Sequence, residues 1–565
     1  MHMRGASIVG PAERDPLRGT RERGGVLSRD DETRLFLQTE DLPKHVAAEN
    51  PRRARIEPRR LTLLSKLAVK MAEPSSGVDT DNPEIPAGFT YLAQFAAHDL
   101  SFNLTPFDEA KGPAKARTNA RHARLVLETL YGLGPTVHPH LYHSSELGSN
   151  DRGTLRLGQL RSRNAAAPAS DDPWLDLPRV RAASTGICPY RLDGSVQRSP
   201  LADGRHETLT ADSRNDDNVM ISQITVLFSV LHNTVYHRLD EPSIKAKLPP
   251  HLQDPRLRFS VARDAVTLAY RRIVFNDFLR RLLDPAVYRF FVQNGALEPD
   301  PEGERGMPLE FSHAAFRIGH SMVRSFYEMN DGIDRDARSL LTLADSLALG
   351  LPHRAYDMPL LQDWYAQWSK FFETNGRLPQ PSRRIGPSLV PLLGRTHQFP
   401  NHDGPDGREL AGGLIYRDLV RGEAEGLMTP LALAYRLLPI MPNGFDPEAY
   451  AEDVHNKLVG WLCDAGLSPG EVRELAGSPP LTLFVLLEAW AGPAKGCRLG
   501  PIGSLIVGEV FFRAQSAAVE DYERNHHLQA AASVAFDGAV PDTMTALLET
   551  LAAWAPLEYR QLPLV

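Results

Sequence analysis

Three short stretches hold ionisable residues at spacings that chemistry can use. In "FTYLAQFAAHDLSF" (89–102), His98 and Asp99 stand side by side within an apolar, aromatic run, with Gln94 four residues before the histidine. On a helix, residues four apart share a face, so Gln94 and His98 point the same way while Asp99 turns about 100° aside. An amide and an imidazole on one face can line a polar pocket; the same pattern also suits a core histidine satisfied by a neighbour. In "TADSRNDDNVMIS" (210–222), Arg214 sits among Asp212, Asp216 and Asp217, just before an apolar helix. Carboxylates there cap the helix and favour the positive end of its dipole. An arginine gains nothing from that dipole, which points to another duty for Arg214. In "FSHAAFRIGHSMVRSFYEMND" (311–331), Arg317 and His320 are three apart and share a helical face. Gly319 weakens that helix relative to alanine. It suits either close approach of another group to the backbone or packing between crossing helices.

Segments of helical period must position these residues. They run over 61–72, 88–100, 219–240, 257–283, 311–329, 338–349, 358–373, 429–439, 447–465, 480–491, 501–523 and 543–553. Polar or Pro/Gly-rich breaks fall near 72–88, 144–175, 190–218, 296–308 and 373–412. Alternating β patterns are scarce, and no repeat and no Gly-rich phosphate loop is present. The expected fold class is mainly α, with long loops and little β. Residues 1–60 are arginine-rich with interleaved acids, and read as an N-terminal extension, a mobile arm or a loose wrap, ahead of one domain over 61–565.

Composition narrows the function classes. The chain has 565 residues, 42% apolar and 24% charged, with net charge -7. That mild acidity argues against a nucleic-acid partner, which would call for a basic face. Cys188, Cys463 and Cys497 lie far apart, form no CxxC and are odd in number, so no disulfide framework is expected and a reducing compartment fits. The N-terminus lacks the apolar core of a signal peptide, and no run approaches eighteen uninterrupted apolar residues. A cytoplasmic protein without a transmembrane segment is the expectation. The sequence does not reveal the oligomeric state.

Taken together, and in this order, the stretches resemble the animal haem peroxidase superfamily, in particular its bacterial members. The family's Q-x-x-x-H-D appears as Gln94-Phe-Ala-Ala-His98-Asp99. Its D-x-R-x-x-E-N-like stretch appears as Asp212-Ser-Arg214-Asn-Asp-Asp217-Asn218, followed by His232-Asn233. Its R-x-G-H appears as Arg317-Ile-Gly-His320, and "LGPIGSLIVGEVFFR" (499–513) resembles its closing helix. The resemblance spans roughly residues 85–515.

The resemblance implies a haem-dependent peroxidase that reduces hydrogen peroxide and oxidises a small organic donor or a halide. His320 is then the axial ligand of haem iron, with its second nitrogen held by an acceptor. Matching "LIYRDLVRGEAEGLMTP" (414–430) to the family segment that supplies this acceptor places Asp418 there, where relatives carry asparagine; the alternative is a surface aspartate on a helix of mixed charge. Arg317 matches the arginine that pairs with a haem propionate, a task suited to its forked donors. His98, neutral, moves a proton between the peroxide oxygens, Arg214 stabilises developing negative charge, and Gln94 holds a water or small anion.

The departures from the family carry their own expectations. Ala97 stands where relatives carry an aspartate esterified to haem, and Asp217 aligns with the second ester-forming glutamate but is one methylene shorter. Mostly non-covalent haem b is expected, with one ester through Asp217 left open. Asn218 replaces a sulfonium-forming methionine, so that link is not expected. The family's calcium site would use Asp99 and a loop matched by "HARLVLETLYG" (122–132). Val126 stands at an aspartate ligand position, Glu128 at a serine or aspartate position, and Arg124 beside them, which argues against calcium and offers Arg124 as a charge partner for Asp99. Two alternatives remain. A fatty-acid dioxygenase of the same superfamily would carry a radical tyrosine where Arg317 stands, and Tyr327 reads as core. A scaffold with decayed chemistry would not need Gln94, His98, Arg214 and His320 together. His138, His140 and His143 read as a surface loop rather than a metal cluster.

Overall fold

A computed structural model describes residues 32–33, 35–36, 42–48 and 56–556, apart from 74–79, 103–118, 120, 122, 144–151, 161–172, 182–205, 300–305, 332–339, 343–359, 375, 397–400, 402–403, 405–406 and 524–525. At its centre is the helix Val219–Arg238, apolar on every face and buried from Val219 to Tyr236. Its few hydroxyls do not need outside partners: Thr225, Ser229 and Thr234 each donate to the carbonyl four residues earlier, at 2.9, 2.8 and 2.8 Å. The helix is long and apolar enough to cross a bilayer by composition, but its whole apolar window is buried inside the protein.

Two helices pack on this core helix. Gly88–Leu100 carries His98, and Arg258–Ile273 continues through a π-helical turn, Val274–Leu279, to Arg280–Leu282. An aromatic cluster joins the three: Phe95 stacks on Phe228 at 5.3 Å, and Tyr270 meets both edge-on at 6.0 and 5.6 Å. Gly88 starts its helix where no side chain fits, since a Cβ would lie 2.4 Å from the Phe372 ring and 2.7 Å from the Phe371 carbonyl. The helix Leu481–Ala491 packs on both the Ala315–Met322 segment and the helix Gly413–Glu425, which in turn lies on Pro58–Met71. Strands among the described residues form only two-stranded pairs, including Asp81–Pro86 with Pro381–Arg383 and Phe326–Glu328 with Leu340–Thr342. The chain is thus mainly helical, as expected.

Several expected helices are not helices. The 311–329 segment splits into Leu309–Ser312, the 3-10 turn Ala315–Met322 and the strand Phe326–Glu328. Gly319 in its middle costs helix stability, and the tighter turn carries the histidine instead. Leu340–Thr342 within the expected 338–349 helix is a strand, its neighbours there lying outside the described residues. The expected 358–373 helix holds only the short turns Gln362–Trp364 and Trp368–Lys370. Arg-rich residues 1–60 contribute Leu35, Phe36, Leu42 and Val46 to the core, and buried Arg60 pairs with Glu423 at 2.8 Å, so these residues are packed rather than loose; 1–31, 34, 37–41 and 49–55 lie outside the described residues.

Candidate active site

His98 sits in the last turn of the Gly88–Leu100 helix, buried at 6% exposure. Its Nδ1 lies 2.9 Å from Asn215 Oδ1. Asn215 Nδ2 donates to the Thr129 carbonyl at 3.0 Å, which turns the amide oxygen towards the imidazole. Nδ1 must therefore carry the proton and Nε2 the lone pair. Burial, then the Arg214 guanidinium, push the His98 pKa down to about 3, so the ring is neutral near pH 7. Asn215 was invisible to motif reading: an asparagine next to an arginine carries no signal until its partner, 117 residues away, is known.

Arg214 is the second residue of the 3-10 turn Ser213–Asp216, whose N-cap is Asp212. Its Nε donates to Asp212 Oδ1 at 3.0 Å and its Nη2 to Oδ2 at 2.6 Å. Nη2 also donates to the His98 carbonyl at 3.0 Å. The structure thus brings Arg214 onto the turn that carries His98. Burial opposes ionisation of Asp212, but Arg214 and Arg121 outweigh it and hold the carboxyl well below the usual range. Gln94 Oε1 accepts from Asn218 Nδ2 at 3.3 Å, and Asn218 caps the core helix through the Ile221 N–H at 2.9 Å. Asp217 is solvent-exposed at the same corner, yet protein crowds it on several sides. That desolvation raises its pKa to about 6 with Asp212 and Asp216 adding to it against Arg214, and water reaching the carboxylate limits the rise. Asp216 is occupied by Arg179 at 2.8 Å, a pair that sequence reasoning missed.

On the other side, His320 Nδ1 lies 2.6 Å from Asp418 Oδ2. A carboxylate only accepts, so Nδ1 donates and Nε2 is left as the ring nitrogen not engaged by Asp418. Asp418 is buried at 4%, not a surface aspartate. Burial opposes its ionisation, but His320, Arg317 and Arg421 together lower its pKa. Arg317 Nη1 is 3.7 Å from Asp418 Oδ1, and Arg317 Nε donates to the Ser312 carbonyl at 3.0 Å. Arg421, one turn beyond Asp418, was not singled out from the sequence. The Ala315–Met322 turn touches the Gly88–Leu100 helix, so the two histidine-bearing segments meet.

The residues fit a haem. A Cβ on Gly319 would meet no atom within 4 Å, so the space beside the His320 backbone is open rather than filled by a crossing helix. His320 Nε2, the ring nitrogen not engaged by Asp418, would be the one to hold iron, and Arg317 retains further donors for a propionate.

Asp99 faces away from His98, as expected. Its carboxylate accepts the Leu127 and Thr129 N–H groups at 2.9 and 3.3 Å. Oxygens turned to N–H donors are not presented to a cation. Burial pushes its pKa up to about 7, and the strongest opposing charge is Arg121, not Arg124 as the sequence suggested. Among the described residues no group of three metal-capable side chains occurs, including His138 and His140, whose rings lie 5.6 Å apart. His232 and Asn233 are structural: His232 Nε2 donates to the Gly153 carbonyl at 2.9 Å, and Asn233 clamps the Leu155 backbone at 2.8 and 2.9 Å. Cys463 is exposed and Cys497 buried, both free, and Cys188 lies outside the described residues.

Residues 143–357, which hold Arg214 and His320, match the animal haem peroxidase family. That match covers less than half of the 565-residue chain. A peroxidase-like protein of Margaritifera margaritifera is 26% identical over 167 residues, which cover 26% of this chain and 20% of that protein. The match therefore spans about a fifth of that relative's length. Peroxidase A from Dictyostelium discoideum has the same fold at TM-score 0.52 and 14% identity, covering 94% of each chain. The fatty acid alpha-dioxygenase of Oryza sativa shares the fold at TM-score 0.53 and 12% identity, covering 90% of this chain and 80% of that one. That of Arabidopsis thaliana does so at 0.51 and 11%, covering 89% and 78%.

Proposed function

We propose that this protein is a haem-dependent peroxidase, reducing hydrogen peroxide to water at the expense of a small organic donor or a halide. The observation that carries the reading is the state of His98: neutral, with Nδ1–H fixed on Asn215 and the Nε2 lone pair available as a base. His320 would hold the haem, which would supply the redox chemistry of O–O cleavage, the electrons coming in the end from the donor. His98 Nε2 takes the proton from one peroxide oxygen and returns it to the other as the bond breaks, so that this oxygen leaves as water. Arg214, held on the same turn, stabilises negative charge on the departing oxygen and keeps His98 uncharged between turnovers. The balance is one peroxide, two electrons and two protons to two waters, with the donor losing two electrons in one step or two. His320, its Nδ1–H held by Asp418, would offer a strongly donating Nε2 to the iron. Gln94, four residues before His98 on the same helix, and its partner Asn218 would orient water there.

A second reading, a fatty-acid dioxygenase, draws on the fold shared with the plant alpha-dioxygenases. Against it, Arg317 occupies the position three before His320 where the resemblance calls for a radical tyrosine. One experiment separates them. Haem-loaded protein is mixed with peroxide while its Soret band is followed, then with a panel of phenols and halides. In parallel it is given linoleate and palmitate with oxygen and no peroxide. Donor turnover only with peroxide supports the peroxidase; fatty-acid hydroperoxides formed without peroxide overturn it.

A further inference from the structure

We propose that Arg121 and Asp212 are positioning residues for the His98–Arg214 pair, forming a clamp that fixes the imidazole and the guanidinium in one geometry. The inference rests on the peroxidase reading for its kinetic consequence, though not for its structural one.

The last turn of the Gly88–Leu100 helix leaves carbonyls without intrahelical partners. Two guanidiniums converge on one of them: Arg121 Nε donates to the His98 carbonyl at 3.1 Å and Arg214 Nη2 at 3.0 Å. The same two side chains meet again on one carboxylate oxygen, Asp212 Oδ2, each through Nη2 at 2.6 Å. The result is a closed ring: His98 carbonyl, Arg121, Asp212, Arg214. Asp212 has no side-chain exposure and Arg121 only 9%, so these charge-assisted bonds act with little screening. Both guanidiniums also lie against the Phe102 ring, at 5.7 and 4.5 Å from its centroid.

Arg121 is delivered to this place by the backbone. Buried Asn119 donates to the Leu100 carbonyl at 3.1 Å and accepts the Phe102 and Arg121 N–H groups at 2.8 and 3.1 Å. The segment is stitched to the end of the helix before its side chain turns in. Glu128, 3.4 Å from Arg121 Nη1, steadies the remaining arm. With Glu128 on Arg121, the clamp holds two guanidiniums and two carboxylates, so it acts by fixing the position of Arg214 rather than by adding net charge. Asn215, from the Arg214 turn, meets the His98 ring at Nδ1, and Asp212, Arg214 and Arg121 are the charged groups that act on it. Arg214 lies within the family match, while Arg121 and His98 lie outside it; no motif pointed to Arg121.

The test uses Arg121→Ala, with Asp212→Asn as an isosteric second variant. Protein labelled with 15N-histidine reports the His98 tautomer, the signal being assigned by its loss in His98→Gln. Wild type should show one tautomer with Nδ1 protonated. Both variants should show averaging between tautomers, and haem-loaded samples should react with peroxide at least about tenfold more slowly, because small misplacements of reacting groups carry costs of this order. Arg121→Lys, which restores charge without the fork, should recover the rate only in part. An unchanged His98 signal in both variants overturns the clamp. Full recovery by lysine overturns it in favour of a simple charge effect. If the signals change but wild type does not react with peroxide, the clamp stands and the peroxidase reading falls.

Discussion

His320 and Asp418 lie 98 residues apart in sequence and 2.6 Å apart in space, the imidazole donating Nδ1–H to a buried carboxylate. An anionic acceptor makes the opposite nitrogen a better donor to a metal. Asp418→Asn keeps the shape and removes the charge. We expect the haem midpoint potential to rise and haem affinity or peroxide reactivity to fall about 10- to 100-fold. Spectroelectrochemistry and haem titration measure both. An unaltered potential would strip Asp418 of this role.

The two histidines should separate cleanly by substitution. His320→Ala removes the nitrogen ligand offered beside Gly319, and the protein should no longer retain haem through gel filtration. His98→Ala leaves that side intact, so haem should stay bound while the peroxide-driven change in the Soret band slows by at least about a hundredfold, the usual scale for a general base. Stopped-flow absorbance reads this directly. Asn215→Ala should fall between His98→Ala and wild type, because the base survives but its tautomer is no longer fixed.

The sequence carried the parts of this site that local spacing can encode. The Gly88–Leu100 helix matches its apolar period to the residue, and the core helix matches to within its last turn. His98, Arg214 and His320 stand out because a polar group in an apolar run, or an arginine at a helix start, is locally anomalous. Asp418 was placed by alignment alone, and the geometry now gives it a partner. The misses share a cause. Asn215, Arg121 and Arg179 act through partners between 23 and 117 residues away, and no local pattern predicts a contact of that kind. The 311–329 segment misled because its period is helical while Gly319 and a demand for open space break it into turns.

Acid should affect catalysis and folding differently from an ordinary histidine. Burial and then Arg214 lower the His98 pKa to about 3 from the usual 6.5. The base form therefore persists well below neutrality, and kcat/KM for peroxide should stay level until the pH nears about 3. A limb near 6.5 would mean that the base is not His98 in this setting. For stability the sign follows from proton uptake. Between about 6.5 and 3 the unfolded chain binds a proton that the folded one refuses, so the His98 contribution is present above 6.5 and is lost as pH falls. Thermal melts of wild type and His98→Gln should show wild type losing ground steadily over that range. Asp99, raised to about 7, works the other way between about 4 and 7, which is why the comparison must be made within one background.

Haem should come away from the chain in acidified butanone. Two carboxylates would be needed for the double attachment that the family resemblance describes, and one of them is absent because Ala97 precedes His98. The other, Asp217, is exposed and flanked by Asp212 and Asp216, with its own charge answered only by Arg214. Its short side chain stands at the end of the Ser213–Asp216 turn, fixed by the Asn218 cap of the next helix, so the backbone has little freedom to carry it forward. Near-complete extraction and an intact mass equal to that of the bare polypeptide are expected, both before and after exposure to peroxide. A haem-sized increase in mass that survives denaturation and disappears in Asp217→Asn would instead establish a single ester at this position.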